Sequence, residues 1–592
     1  MTDTTPTIAV DTRRSRANPS RLRVLGLAAA VTLTGTGAAR AFPLIDPTDQ
    51  NLVPQGTELA SPDAQDLQHQ LQIANGLAPP AGGGWTFVPS INYQEMLTDN
   101  VQQVHSPRQA DLVTYFAPGF ALAGDMPRVT LILDWSPTLA IYADDSSLNA
   151  LTQQLNGIGT ITLVPDLAYV DVRAVAGVQS AYGGIGGLGT VGASTTATAQ
   201  TTAPTLAGNA QGLTRSNEVQ TGSLGISPYL LGHFGDWGTG RLGEALNVSR
   251  SASLSGFASS PFPTGGVNGQ TLISSEQTAH FATGDNLQRF QDAIDVDLLQ
   301  DQTTADPGSI NGTTGSVVQN TTQSRQTRDT VSNTITYVVD RSISVFASGG
   351  HEDIVYSGTN AQSIHDMTWS LGTTLTPNAD SRLTVSYGHL NGFNSFTANG
   401  YYAVTARTAL SLSYGSTLGT QLEYLQNQLN LAATGPNGTL VNGQNGGQLF
   451  GATNALAIQD GVFKTTTFTL GSQTALDRDI VSFNLLLATQ TSTAGASSSS
   501  STSKTFQANW IHQMRPDMTL NAAFSLSFQD QAFQNNLSPG NSTSIVASVA
   551  WQNQISETVS ISVRYSFLQQ QSATTAFNIT QNLLILGLTK TF

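Results

Sequence analysis

The chain has 592 residues, of which only 11% are charged, and its formal net charge is −15. Soluble domains usually carry roughly 25% charged residues. The absence of cysteine excludes disulfide scaffolds and thiolate metal sites. The acidic balance argues against nucleic acid as a partner, because a phosphate backbone selects a basic surface.

The N-terminus has the pattern of an export signal. A basic lead with five Arg between residues 13 and 23 precedes the apolar run VLGLAAAVTL (24–33). Ala39-Arg40-Ala41 fits the A-x-A cleavage pattern. The run is shorter than the about 20 residues of a membrane-spanning helix. We therefore predict a signal peptide over residues 1–41, cleaved after about Ala41, in an exported Gram-negative protein.

Residues 42–84 are rich in Pro and Gln and precede the first strand-like segment. This composition indicates a periplasmic N-terminal tether, with room for one short helix around Asp63–Leu77. The stretch is too small for the globular plug domain of a gated receptor.

From Trp85 onward the dominant period is two. In TVSISVRYSF (558–567), Val, Ile, Val, Tyr and Phe alternate with Thr, Ser, Ser, Arg and Ser. Alternation places apolar side chains on one face of a β-strand and polar ones on the other. The segments exceed the about 5–6 residues of an ordinary strand and reach the about 9–11 that a tilted membrane strand needs. Because the chain has no run of 18 apolar residues, it is not a helical membrane protein.

Ten short turns, rich in Gly, Pro, Asn and Asp, divide the region 85–592. They are Gly124–Pro127, Pro165-Asp166, Gly235–Trp237, Gly284–Asn286, Asp340-Arg341, Pro377–Asp380, Arg407-Thr408, Asp477-Arg478, Pro516-Asp517 and Ser556-Glu557. With one strand before the first turn (Trp85–Leu97) and one after the last (Asn578–Phe592), the count is 22, within an accepted range of 16–22. The prediction is an all-β fold, a large transmembrane antiparallel up-and-down β-barrel with short periplasmic turns and long outer loops.

Long polar segments alternate with these turns. The largest are Ser180–Gln220 and Thr417–Gly461, and the second contains TQLEYLQNQLN, which favours a short helix in the outer loop or folded into the lumen. The serine tract Ser497–Ser503 indicates a flexible outer loop. Such segments either constrict the pore or remain plain loops.

The C-terminal strand NLLILGLTKTF carries apolar residues on one face and ends on an aromatic residue. It resembles the signal that delivers outer-membrane barrels to their assembly machinery, with Leu584, Leu586, Gly587, Leu588 and Phe592 at the matching positions. Lys590 departs from the pattern, because an apolar residue is expected there.

A closed sheet is required because hydrocarbon leaves no partner for an unpaired backbone N–H or C=O. The apolar face then contacts lipid, and the Ser, Thr and Asn face lines water. Candidates for the interfacial aromatic girdles are Trp85, Trp135, Trp369, Trp510, Trp551, Tyr93, Tyr229 and Tyr565.

Several stretches resemble a known family. They are WTFVPSINYQEMLTDN (85–100), TLVPDLAYVDVRA (162–174), GISPYLLGHFGDWGTGRL (225–242), WSLGTTLTPNADSRLTVSYGHLNG (369–392) and AVTARTALSLSYGSTLGTQLEYLQNQL (403–429). They are similar to outer-membrane β-barrels associated with exopolysaccharide and PEP-CTERM systems, within the broad β-barrel porin group. The resemblance implies an outer-membrane channel for secreted polysaccharide that works with a periplasmic export protein.

A polymer conduit needs a wide polar pore with few fixed charges, because conduction requires weak, repeated contacts. Candidate lumen charges are Asp171, Arg173, Asp295, Asp297, Arg382 and Arg564. The alternative function is a passive diffusion porin for small hydrophilic solutes. No nucleophile motif or paired His spacing stands out, so we expect no enzyme activity, no catalytic or metal residues and no cofactor. Expected partners are outer-membrane lipid, the barrel assembly machinery, polysaccharide and the export protein.

Overall fold

A computed structural model describes residues 84–180, 218–253, 269–284, 287, 289–305, 324–357, 361–378, 380–434, 440–442, 461–493, 500–532 and 540–592. The predicted signal peptide, the tether and most of the outer segment 180–220 lie outside these residues. Among the described residues, no helix has the length and apolarity to cross a membrane.

The described chain consists of long strands joined by turns and loops. The strands are β1 Gly84–Thr98, β2 Asp111–Met126, β3 Val129–Tyr142, β4 Ala150–Val164, β5 Ala168–Ser180, β6 Glu218–His233, β7 Gly238–Ser253, β8 Gln270–Thr283, β9 Phe290–Ala305, β10 Ser324–Val338, β11 Ile343–Ser357, β12 Gln362–Asn378, β13 Ser381–Leu390, β14 Phe393–Thr405, β15 Thr408–Gly419, β16 Ala432–Thr434, β17 Leu440–Asn442, β18 Phe463–Ala475, β19 Asp479–Ser492, β20 Ser500–Arg515, β21 Met518–Ala532, β22 Ser542–Ser556, β23 Val559–Ser572 and β24 Ile579–Thr591. One α-helix, α1, spans Gln421–Asn430.

Twenty-two of these strands form a closed antiparallel barrel, as predicted, and β16 and β17 form a separate two-stranded ribbon. Each barrel strand pairs with its neighbours along the chain, and β1 closes the sheet by pairing with β24 from Ser90↔Thr591 to Thr98↔Leu583. Each of the ten predicted turns lies at the junction of two paired strands. A barrel of this strand number is about 40 Å across at the backbone.

The two faces of the wall differ as the alternation predicts. In β23, Val563 and Tyr565 are exposed on the outer face, whereas Ser566 and Leu568 face the interior and are only 2% exposed. Large apolar side chains are exposed on the outer face of strands around the barrel. An exposed apolar surface of this extent is suited to hydrocarbon rather than water.

Tyr229 does not belong to an outer girdle, and this prediction was wrong. Its side chain is only 4% exposed, and its ring stacks on Tyr169 of β5 with 5.3 Å between ring centroids. The guanidinium of Arg241 lies 4.4 Å from the Tyr229 ring centroid on the inner wall. The β6–β7 ladder skips Ser227 and Pro228 but keeps the same register on both sides. Leu224, Ile226 and Leu230 are exposed outward, so alternation itself places Tyr229 on the inner face.

The serine tract is only in part a loop, because Ser500–Ser503 begin β20. Ser501 and Ser503 are buried on the inner face, and Ser500–Ser503 pair with Ala488–Thr491 of β19 by backbone. At the C-terminus, Leu584, Leu586, Leu588 and Phe592 are exposed outward. The ammonium of Lys590 lies 5.7 Å from the ring centroid of Phe592.

Candidate functional site

The six predicted lumen charges all lie at inner-face positions of their strands. Arg173 donates to Asp171 across 3.3 Å, and Thr160 also donates to Asp171. Asp295 lies 2.6 Å from Nδ1 of His280 on β8. The charges of Asp171, Arg173 and Asp295 are therefore partly satisfied within the wall. Their effect on selectivity stays a prediction.

Helix α1 comes from the outer loop after β15 and lies inside the barrel. Thr420 is its N-cap: the Thr420 hydroxyl accepts from the Glu423 N–H, and the Glu423 carboxylate accepts from the Thr420 N–H. This reciprocal capping box satisfies two backbone donors and defines the helix start. The helix that the sequence favoured is present, and it is folded into the lumen.

One end of α1 packs on the wall formed by β4 and β5. Leu425 and Leu429 are buried against Val175, and Ile158 packs on the same cluster. These contacts are apolar and close, so this end of the helix is held by side-chain packing.

The same helix also contacts the far wall. Tyr424 packs on Leu486 and Ala488 of β19, and Gln490 donates to the Gln421 side chain at 3.3 Å. In the strand order, β5 and β19 lie nearly opposite one another. The ten residues of α1 extend about 15 Å, and its side chains contact both walls. The helix thus divides the lumen.

A buried polar contact holds the first turn of α1 against β10. The Arg328 guanidinium donates to the carbonyl of Leu418 at 3.0 Å, just before the helix begins. Glu423 is buried, and this burial raises the pKa of its carboxyl although the Arg328 charge opposes the shift. Removing one member of such a buried arrangement leaves the other without its partner.

The barrel wall is shorter at the hairpin of β13 and β14, whose strands have 10 and 13 residues. Its two-residue outer turn has Asn391 at φ 57° and Gly392 at φ 76°, the left-handed pair of a tight hairpin. Both backbone N–H groups donate at 2.9 Å to the buried carboxylate of Glu352 on β11. The turn therefore leans into the lumen, where Phe393 packs beside Ile354.

The half of the lumen that is lined by β20–β24 and β1–β4 is rich in amide and hydroxyl side chains. Within the described residues, several of their buried polar atoms have no hydrogen-bond partner. These are Gln94 Oε1, Ser136 Oγ, Asn156 Oδ1, Asn509 Nδ2, Asn521 Oδ1 and Ser566 Oγ. Each is a hydrogen-bonding group left unpaired in the inner wall. We call this region the amide-lined half.

An apolar cluster covers the outer end of the amide-lined half. Met96, Val113, Leu583 and Ile585 pack there with Tyr115, Tyr142 and Leu148, and all are at most 7% exposed. The lumen thus changes from polar to apolar toward the outer side. In this state a large solute meets both α1 and this cluster.

Two charges of the amide-lined half stand apart from the paired ones. Arg564 on β23 and Asp134 on β3 face inward, and among the described residues neither has a hydrogen bond or ion pair. Asp134 was missed from sequence, although its place beside outward Trp135 in an alternating strand could have revealed it. Arg241, Arg328 and Glu423 were missed because their partners lie on other strands.

Among the described residues, no group of three or more His, Asp or Glu side chains is placed to hold a metal ion.

Comparisons with known proteins give similarity only at the level of solved structures. No protein-family model matches the chain, and no curated protein matches its sequence. The siderophore receptor PirA from Acinetobacter baumannii is 11% identical, with a TM-score of 0.45 over 86% of this chain and 80% of that one. The FrpB iron transporter from Neisseria meningitidis, F5-1 variant, is 8% identical, with a TM-score of 0.47 over 88% and 83%. The ferric-catecholate import receptor Fiu from E. coli K12 is 9% identical, with a TM-score of 0.45 over 87% and 82%. Similarities this low carry no inference about function.

Proposed function

We propose that this chain is an outer-membrane channel that conducts secreted exopolysaccharide together with a periplasmic export protein. The supporting observation is the division of the lumen into an amide-lined half and a half occupied by α1. Hydroxyls and amides exchange hydrogen bonds with a sugar chain one at a time, which permits movement without tight binding. Membership of the exopolysaccharide and PEP-CTERM group is part of the same proposal.

Helix α1 gives the channel a closed state. A porin for small solutes works with a permanently open passage, whereas a polymer conduit has to stay sealed between export events. Because α1 touches opposite walls, movement of the helix changes the free cross-section more than movement of any single side chain. The proposed conduit opens when α1 leaves the contacts that Val175 and Leu486 provide.

A disulfide lock tests this role directly, because the native chain has no cysteine. Leu429→Cys and Val175→Cys, combined, place two thiols in one packed cluster. In a deletion strain complemented with the double variant, oxidising conditions should abolish polysaccharide secretion and a reductant should restore it. Each single substitution is the matched control and should secrete normally.

Two outcomes would reject the conduit. One is normal extracellular polysaccharide in the deletion strain. The other is undiminished secretion by the fully oxidised double variant, with the disulfide verified by mass spectrometry. If liposomes containing the locked variant also admit small sugars rapidly, the passive diffusion porin becomes the better function.

A further inference from the structure

The guanidinium of Arg564 differs from the other inward-facing Arg side chains. Arg173 is paired with Asp171, Arg241 lies on the ring of Tyr229, and Arg328 donates to Leu418. Arg382 also has an interaction partner. Within the described part of the chain, Arg564 alone among these five has no hydrogen bond, ion pair or ring contact.

The residues beside Arg564 on the inner face are mostly short. Its cross-strand neighbours are Ala550 on β22 and Ile585 on β24. One position toward the periplasm on the inner face lie Ser562 and Gly587, which pair with each other. Ala550, Ser562 and Gly587 are short, whereas Ile585 is a large apolar side chain.

A second unpaired polar group lies on the same face of β23. The hydroxyl of Ser566, two residues from Arg564 on the same face, is 2% exposed and its oxygen has no partner among the described residues. Ile585 and Leu583 of the apolar cluster are the cross-strand neighbours of Arg564 and Ser566. An unpaired guanidinium beside apolar groups is poorly solvated, so an arriving anion gains more there than it would in water.

We propose that Arg564 and Ser566 form a binding site for a carboxylate group of the transported polymer, which makes the substrate an acidic polysaccharide. The guanidinium donates two parallel hydrogen bonds to the carboxylate, and the Ser566 hydroxyl donates a third. Asp134 lies four strands away along the same half of the lumen, about 19 Å along the wall, so it is not part of this site. This inference rests on the proposed conduit function.

The test measures binding of two sugar probes to the detergent-purified full chain by calorimetry. Trigalacturonate carries carboxylates, and maltotriose is a neutral sugar of the same length. The wild-type protein should bind trigalacturonate at least tenfold more tightly, and this preference should weaken as the KCl concentration rises. Arg564→Gln should remove the preference, and Arg564→Lys should keep part of it because it retains the charge.

Two further variants serve as controls. Arg241→Gln removes an inward cation whose guanidinium already lies on the ring of Tyr229. This variant should bind trigalacturonate within twofold of wild type. Asp134→Asn changes an inward charge four strands away from Arg564 and should bind trigalacturonate within twofold of wild type. Arg564 has no hydrogen-bond or ion-pair partner that the substitution would leave unpaired, so Arg564→Gln should fold like the wild type. The change in electrophoretic mobility between unheated and heated samples measures folding.

The outcomes separate this site from the conduit. Equal trigalacturonate affinity in wild type and Arg564→Gln, or equal affinity of wild type for both sugars, overturns the carboxylate site and leaves the channel standing. Arg564-dependent trigalacturonate binding together with normal secretion in the deletion strain keeps the site and rejects the conduit.

Discussion

At the scale of single residues, buried groups that satisfy backbone donors stabilise the wall where strand pairing stops. Glu352 accepts both N–H groups of the β13–β14 turn. We predict that Glu352→Ala lowers the free energy of unfolding by about 1–3 kcal/mol, because two buried donors lose their acceptor. Urea unfolding in detergent, followed by tryptophan fluorescence, measures the change. Thr330→Ala, on the inner face of the neighbouring strand β10, is a matched control and should change stability by less than half as much.

The turn between β10 and β11 gives a pH-dependent prediction at the same scale. Asp340 accepts from the Ser342 N–H at 2.7 Å and from the Ile343 N–H at 2.9 Å, and these hydrogen bonds lower the pKa of its carboxyl. The ionised carboxylate therefore stabilises the turn at pH values above the ordinary carboxyl pKa near 4. This stabilisation is lost as the pH falls through the lower pKa of the folded state. Amide-proton exchange of Ser342 should therefore lose protection upon acidification. Asp340→Asn should make that protection independent of pH in this range, and an unchanged profile would contradict the assignment.

At the scale of elements, α1 is a short helix whose position depends on its cap as well as on its packing. Thr420→Ala removes the side-chain acceptor of the capping box. The expected loss is about 1 kcal/mol, which raises the population of displaced helix about fivefold. Planar-bilayer recordings should show a correspondingly higher open fraction. Thr420→Ser keeps the cap and should behave like the wild type, whereas identical open fractions in all three proteins would rule out α1 as the closing element.

At the scale of the whole molecule, the two faces of the barrel tolerate charge differently. Phe524 points outward and is 38% exposed, and its neighbour Ala523 points into the amide-lined half. Phe524→Arg should destabilise the inserted barrel by about 2–4 kcal/mol if its position is at the bilayer midplane, and Ala523→Arg should cost less than half of that. Unfolding from liposomes compares the two. Equal costs would mean that the outer face is not in lipid.

The barrel could be predicted from sequence because its rules are local. Alternation such as that of β23 sets which side chain faces out, and Gly, Pro, Asn and Asp set where the chain turns. The departures occur where longer-range contacts decide the outcome. Ser500–Ser503 join β20 because β19 extends far enough to pair with them. Tyr229 is a different case: it was assigned to a girdle by residue type, although the alternation of β6 places it on the inner face.

The sequence by itself determined the order of the turns and the two chemically different faces, and it gave about 22 strands within a range of 16–22, because each depends on residues that are close in the chain. It also indicated a helix within the loop after β15. Only the tertiary structure decided that this helix spans the lumen between β5 and β19, and that Arg564 lacks the partner that other inward Arg residues have. Those facts depend on distances between strands far apart in sequence, which close only when the barrel does.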